Sequence, residues 1–563
     1  MNNFQALFLA VALLSYSCAQ LRNDTADSSA PKYFTNPIFA GFYPDPSICK
    51  SDDGYYLINS SFGYFPGLPI FHSKDLVNWN QIGHVMDRPE QFNTQGQRIT
   101  RGLFAPAIAF HQGTYYVTCT NVDDGGNFIV KTTDPVGPWS HPIWLPQVNG
   151  IDPSLFFEDD RAFIVYNSEP PNNDPLYGGH RTIRMYELDS ESLQSIGDEL
   201  LLVNGGVDIS KEPVWIEGPH IYHINDYYYL MCAEGGTADN HSEVIFRSKS
   251  ITGPYKPWDQ NPILTQRNLD PNRPNPITTT GHADMVQTDD GDWWAVFLGC
   301  RPYPGNFYNI GRETFLAPVT WTEDLWPVIN PDFEEVQYSY PTPTDAPVSR
   351  SNFQYSGNFS YREEFEGSVL PMNFVFLRTP TEKWYHIRNG QLTMDLRPET
   401  VAGFGNPSYI AHRQQHHQGS VETKLNFKPT NENEKAGIVF FQSEKNHYVY
   451  VKSLSEGESV LELYRSGVEP ELLARQTIAE GPVELRVDFD QSDYTFLYFQ
   501  DGWQTLADHI DGTFLSTQKA GGFVGTTIGL YATSSGQKST NNASFGYFSY
   551  SGNDEVFNKL EAK

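Results

Sequence analysis

Cysteine is nearly absent from this chain, with five residues among 563. The four beyond the first twenty positions, Cys49, Cys119, Cys232 and Cys300, show no C-x-x-C spacing, and three sit in aromatic, strand-like runs. That pattern argues for buried free thiols ahead of a zinc site or a disulfide framework. Basic residues are also few: 38 Lys and Arg face 68 Asp and Glu, a formal net charge of -30. Nucleic acid or an anionic membrane surface would repel such a chain, whereas a neutral ligand such as a sugar would not. After residue 20 no segment reaches the roughly 20 apolar residues that a spanning helix needs. No long amphipathic period stands out either.

Aromatic and turn-forming residues are plentiful instead: 32 Tyr and 11 Trp, with 45 Gly and 39 Pro. They favour many short strands joined by tight turns, and the length allows at least two domains. Residues 1–19 read as a signal peptide, an apolar run at 7–14 preceding Ser17-Cys18-Ala19. The expectation is a secreted, extracellular protein. Its n-region carries no Lys or Arg, and Cys18 offers the alternative of a lipid anchor at the cell surface.

One short pattern, a polar turn followed by bulky aromatics and an apolar tail, returns five times in the first 320 residues. Its cores are Tyr55-Tyr56, Tyr115-Tyr116, Ala162-Phe163, Tyr227-Tyr228 and Trp293-Trp294. Each unit reads as a small antiparallel sheet, and five sheets arranged radially bury their faces on one another, the logic of a five-bladed β-propeller. Ten positions ahead of each core stand Asp45, Ala105, Asp152, Glu217 and Ala283, with His282 alongside. That register predicts three carboxylates converging on one central cavity. The propeller is expected over 34–337 and a Pro-rich linker over 338–349. Alternating runs over 350–553 then predict a β-sandwich. The fold class is all-β.

Any one of these acids alone reads more readily as a solvated turn residue. Three in one register, without nearby Lys or Arg, are costly to gather unless they act. Crowded carboxylates raise one another's proton affinity, and glycosidic cleavage needs one protonated acid and one ionised carboxylate. A non-catalytic carbohydrate-binding propeller is the alternative of another class.

The chain resembles glycoside hydrolase family 43, in particular its β-xylosidase and α-L-arabinofuranosidase members with an added C-terminal sandwich of the concanavalin-like jelly-roll type. The likeness lies in Tyr43-Pro44-Asp45-Pro46-Ser47, Glu217-Gly218-Pro219-His220, Gly281-His282-Ala283-Asp284, Gly311-Arg312-Glu313-Thr314 and, in the second domain, Arg413-Gln414-Gln415-His416. It implies exo-acting, inverting release of terminal β-D-xylose or α-L-arabinofuranose from xylo-oligosaccharides or arabinoxylan, with arabinanase action as an alternative. It implies Asp45 as general base, Glu217 as general acid, and Asp152 as the residue that orients substrate and tunes Glu217. Arg312 matches a substrate-binding arginine and Phe62 an aromatic of the sugar pocket. His282 matches a histidine at the cavity base, where some relatives hold calcium through water. No cofactor is required and calcium is optional. Phe104 stands where relatives often carry tryptophan, which leaves the second sugar subsite in question. Phe523 is assigned to a sandwich loop closing the pocket. Homo-oligomers are compatible with this reading.

Overall fold

The computed structural model describes residues 33–344, 351 and 353–561. The signal peptide at 1–19, Cys18 and the last five residues of the expected linker, 345–349, lie outside the described residues. Five antiparallel sheets follow one another along the chain, and each begins with the strand nearest the hub: Ser47–Ser51, Leu103–His111, Ile151–Glu158, Glu217–Ile224 and Thr278–Gln287. The paired aromatics of the sequence repeat form the second strand of each sheet, as in Gly54–Ile58 and Trp293–Cys300. Their alternate side chains pack between neighbouring sheets, so Tyr55, Leu57 and Phe71 share a core with Val296 and Phe315.

The hub strands are bonded to one another through side chains, chiefly those of Ser47, Ser154, Tyr222 and Asp284. Ser47 Oγ donates to Asp284 Oδ2 (2.7 Å) and accepts from Ile108 N (3.0 Å). Ser154 Oγ donates to the Pro219 carbonyl (2.6 Å), and Tyr222 OH to Asp284 Oδ1 (2.6 Å). The circle closes at the N-terminal segment. Tyr33–Thr35 pairs with Ser339–Pro341, and the Asn36 amide both donates to and accepts from the Leu316 backbone (2.8 and 3.0 Å).

This pairing corrects the expected start of the linker. Residues 339–341 are a strand despite Pro341, because Tyr340 is buried and its hydroxyl donates to Asn330 (2.7 Å). The C-terminal boundary shifts as well: Asp554 and the helix Glu555–Glu561 return to the propeller, with Phe557 buried against Tyr338. Between them, two eight-stranded sheets stack as the expected sandwich. One of those eight strands is Tyr64–Phe65 of the propeller, paired with Val375–Leu377. An apolar core accordingly runs from Ile58, Val85 and Val117 in the first two blades to Phe376, Ile410 and Phe440 in the sandwich. Cys49, Cys119, Cys232 and Cys300 are buried and unbridged, as expected.

Candidate active site

A cavity of about 310 Å³ opens at the hub. Asp45, Asp152, Glu217, Phe62, Phe104, His282, Arg312 and Phe523 all line it, so every side chain singled out from the sequence is brought to one place. The register that led to the three acids needs correction. Strand pairing makes Asp45, Ala105, Asp152, Gly218 and His282 equivalent, and Glu217 stands one position earlier. Counting back from the aromatic pair misplaced two blades. Tyr228, not Tyr227, is the counterpart of Tyr55, and the turn before Trp293 is one residue longer. His282 therefore takes the place read for Ala283, whose N–H instead donates to Glu243 Oε2 (3.0 Å) below the cavity.

A bulge precedes the regular pairing of the inner strand in blades two to five. Asp45, Asp152, Gly218 and His282 have φ of 50°, 53°, 56° and 54°, in the left-handed region that costs a non-glycine residue about 1–3 kcal/mol. The kink turns these positions toward the axis at the strand's start.

Asp45 is held as a carboxylate acceptor: Arg312 Nη1 donates to Oδ1 (2.8 Å) and Ser60 Oγ to Oδ2 (2.6 Å). Asp152 Oδ2 accepts from Gly218 N (3.2 Å). Burial, and then the nearby charge of Asp45, raise its pKa to about 7, against the weaker pull of the Gly218 N–H and Arg312. Glu217 is pushed well above the usual carboxylate range, first by burial and then by the charges of Asp152 and Asp45. Thr237 Oγ1 stands 3.5 Å from its Oε1. His282 Nδ1 lies 4.0 Å from Asp45 Oδ1, and burial lowers its pKa to about 4, so the ring is neutral at pH 7. The cavity thus contains one carboxylate fixed by two donors and one acid whose proton affinity burial and neighbouring charge raise, the kind of asymmetry that glycoside hydrolysis requires.

Three phenylalanines also line the cavity. Phe62 meets Phe104 at 5.0 Å and Phe523 at 6.1 Å, while Phe104 meets Phe523 at 5.7 Å between ring centres. Phe523 comes from the sandwich. Its carbonyl accepts from Arg312 Nη2 (3.2 Å) and its N–H donates to Thr100 Oγ1 (2.7 Å). Close approach behind it depends on glycine: a Cβ on Gly525 would lie 2.6 Å from the Ile310 carbonyl.

Sequence reasoning missed Trp215, Thr237, Ser60 and Glu243. Trp215 precedes Glu217 by two positions, and an aromatic beside a candidate acid was a usable signal. Glu243 had none. It lies fully buried at the start of Ser242–Ser248, without a cationic partner, and burial pushes its pKa well above the usual range. Among the described residues no group of three or more His, Cys, Asp or Glu is arranged to hold a metal ion.

Fold and site together define a sugar-cleaving hydrolase built on a propeller hub. Comparison with known proteins then supplies the family. The model described as "Glycosyl hydrolases family 43" matches residues 34–327, and "Beta xylosidase C-terminal Concanavalin A-like domain" matches 362–551. The chain belongs to glycosyl hydrolase family 43. It is 39% identical over 526 residues to a xylosidase/arabinosidase of Butyrivibrio fibrisolvens, covering 91% of this chain and 98% of that protein. It is 37% identical to a non-reducing end alpha-L-arabinofuranosidase of Bacteroides ovatus, covering 93% and 96%. Among solved structures, a GH43_12 protein from a capybara gut metagenome superimposes with a TM-score of 0.84 at 41% identity, covering 90% of this chain and 96% of that one.

Proposed function

We propose that this enzyme is an exo-acting, inverting glycosidase that releases terminal β-D-xylose, and α-L-arabinofuranose where it presents the same hydroxyls, from xylan-derived oligosaccharides. The supporting observation is the asymmetry between Asp45, which accepts from Arg312 and Ser60, and Glu217, which burial and neighbouring charge keep protonated. Asp45 takes a proton from a water whose oxygen bonds to the anomeric carbon. Glu217 gives its proton to the leaving oxygen as the old C–O bond breaks. Asp152, bonded to the backbone of Gly218 next to Glu217, orients the sugar and sustains the acid.

A cavity of about 310 Å³ lies at the small end of the ligand-pocket range of roughly 300–1,000 Å³, which suits a chain end better than a chain interior. No step uses a metal; on this reading calcium near His282 is optional, and chelation with EDTA should leave turnover unchanged. Export follows from the N-terminal reading, and fractionation of the producing cells distinguishes free secretion from a Cys18 lipid anchor.

NMR of the first-formed product tests the displacement: α-xylose from a β-xyloside is expected, and β-xylose would overturn the single-displacement scheme. Glu217→Gln should lower turnover by about 10²- to 10⁴-fold. Parallel release of 4-nitrophenol from β-D-xylopyranoside and α-L-arabinofuranoside decides the preferred sugar.

A further inference from the structure

Beyond a side-chain hydrogen bond to Glu217, which draws the pKa of that acid down slightly against burial, Trp215 has no part in the scheme above, yet its placement is specified more tightly than packing requires. It lines the cavity beside Glu217. Its backbone has φ of 58°, a conformation that an aromatic residue adopts only when its surroundings impose it. Those surroundings are specific. Trp215 N donates to the Gly179 carbonyl (2.8 Å), and the Arg181 guanidinium lies 4.0 Å from the centre of the indole ring. Arg181 is itself paired with Glu169. One face of the indole is thereby backed by a fixed cation.

The segment runs from the cavity mouth, where Val214 is 44% exposed, to its interior, where Glu217 is 7% exposed. Trp215 lies between them. An acid that protonates a glycosidic oxygen stands at the bond joining the two sugars, so a surface on its mouth side borders the departing sugar. A pyranose presents a face of C–H groups, and a backed indole offers a flat apolar surface to receive it.

We infer that Trp215, held from behind by Arg181, is the platform for the first sugar of the leaving group, a pyranose of a β-linked xylo-oligosaccharide. This supplies from blade four the second-sugar contact that Phe104, on blade two, left in question. The inference rests on the reading of Glu217 as general acid.

The test compares β-1,4-xylobiose, whose leaving group is a sugar, with β-D-xylopyranosyl fluoride, whose leaving group is one atom. Trp215→Ala is expected to lower kcat/KM on xylobiose by about three- to tenfold more than on the fluoride. Trp215→Phe keeps an aromatic surface and should recover most of that loss. Arg181→Gln, which removes the backing and leaves the indole, should move the ratio of the two substrates in the same direction. An equal change on both substrates, or none on xylobiose, overturns the inference. Both Trp215 variants lose the indole hydrogen bond to Glu217 and should show the alkaline pH limb moved to higher pH. A Trp215→Phe enzyme as impaired on xylobiose as Trp215→Ala overturns the inference, since the N–H and not the aromatic surface would then be what matters. Wild-type enzyme that releases xylose from neither substrate overturns instead the underlying reading.

Discussion

Burial is the largest influence on the acids of the cavity, and their neighbours decide how they differ. Asp152 and Glu217 are both raised first by desolvation and then by surrounding carboxylates, while Arg312 pulls each back. Because the negative charge of Asp152 favours the protonated form of Glu217, Asp152→Asn should lower the pKa of the acid. The alkaline limb of kcat/KM against pH, which reports the free enzyme, should then move to lower pH. Glu243 allows a separate stability test. Its folded-state pKa is raised, so the folded protein holds a proton that the unfolded chain releases above about pH 4.3. Its burial therefore destabilises increasingly as pH rises from there toward the folded pKa. Glu243→Gln, neutral in both states, should melt at a higher temperature than wild type at pH 7, with a smaller difference at pH 4.

At the scale of elements, the bulged start of the inner strand is what makes a hub into a site. A regular strand would send alternate side chains into the two neighbouring blades. The left-handed residue at Asp45, Asp152 and His282 turns those side chains to the axis, and glycine occupies the same position in blade four. Gly218 has a further reason to lack a side chain, because a Cβ there would lie 2.9 Å from His282 Nε2. Its N–H also serves Asp152. Gly218→Ala is expected to cost about 1–2 kcal/mol of stability and, by displacing His282 and Asp152, about 10²-fold in kcat/KM. Thermal melts and steady-state kinetics on the purified variant check the two effects.

Taken whole, the molecule is two architectures with two apolar cores shared between them. The sandwich completes its sheet with Tyr64–Phe65 of the propeller, and the propeller pocket is walled by Phe523 of the sandwich. Arg301 adds a buried junction: it binds Glu313 at 2.7 and 2.9 Å and Asp554, beyond the sandwich strands, at 2.9 Å. Breaking such a pair on one side leaves an uncompensated buried charge. Calorimetry of the full chain should accordingly show a single cooperative transition rather than two. A chain ending at residue 344 should aggregate, since it exposes the apolar faces around Phe65 and Phe92; a soluble, active propeller fragment would contradict this.

Fold class, five blades and a following sandwich were legible in the chain's own pattern, because strand patterning is local and the aromatic repeat recurs in every blade. The repeat also pointed to Asp45 and Asp152, whereas Phe62, Phe104, Arg312 and Phe523 came only through the family resemblance. It led to Glu217 through an imperfect count, since the bulge and one longer turn shift register without altering the visible pattern. Only the tertiary structure decided that His282 replaces Ala283 on the hub and that Trp215 stands beside Glu217. It alone made residues 339–341 a strand and buried Glu243 without a cation. Each of these depends on segments distant in the chain meeting in space, as Arg181 meets Trp215 and Tyr33–Thr35 meets Ser339–Pro341. Local propensity carries no record of such a meeting.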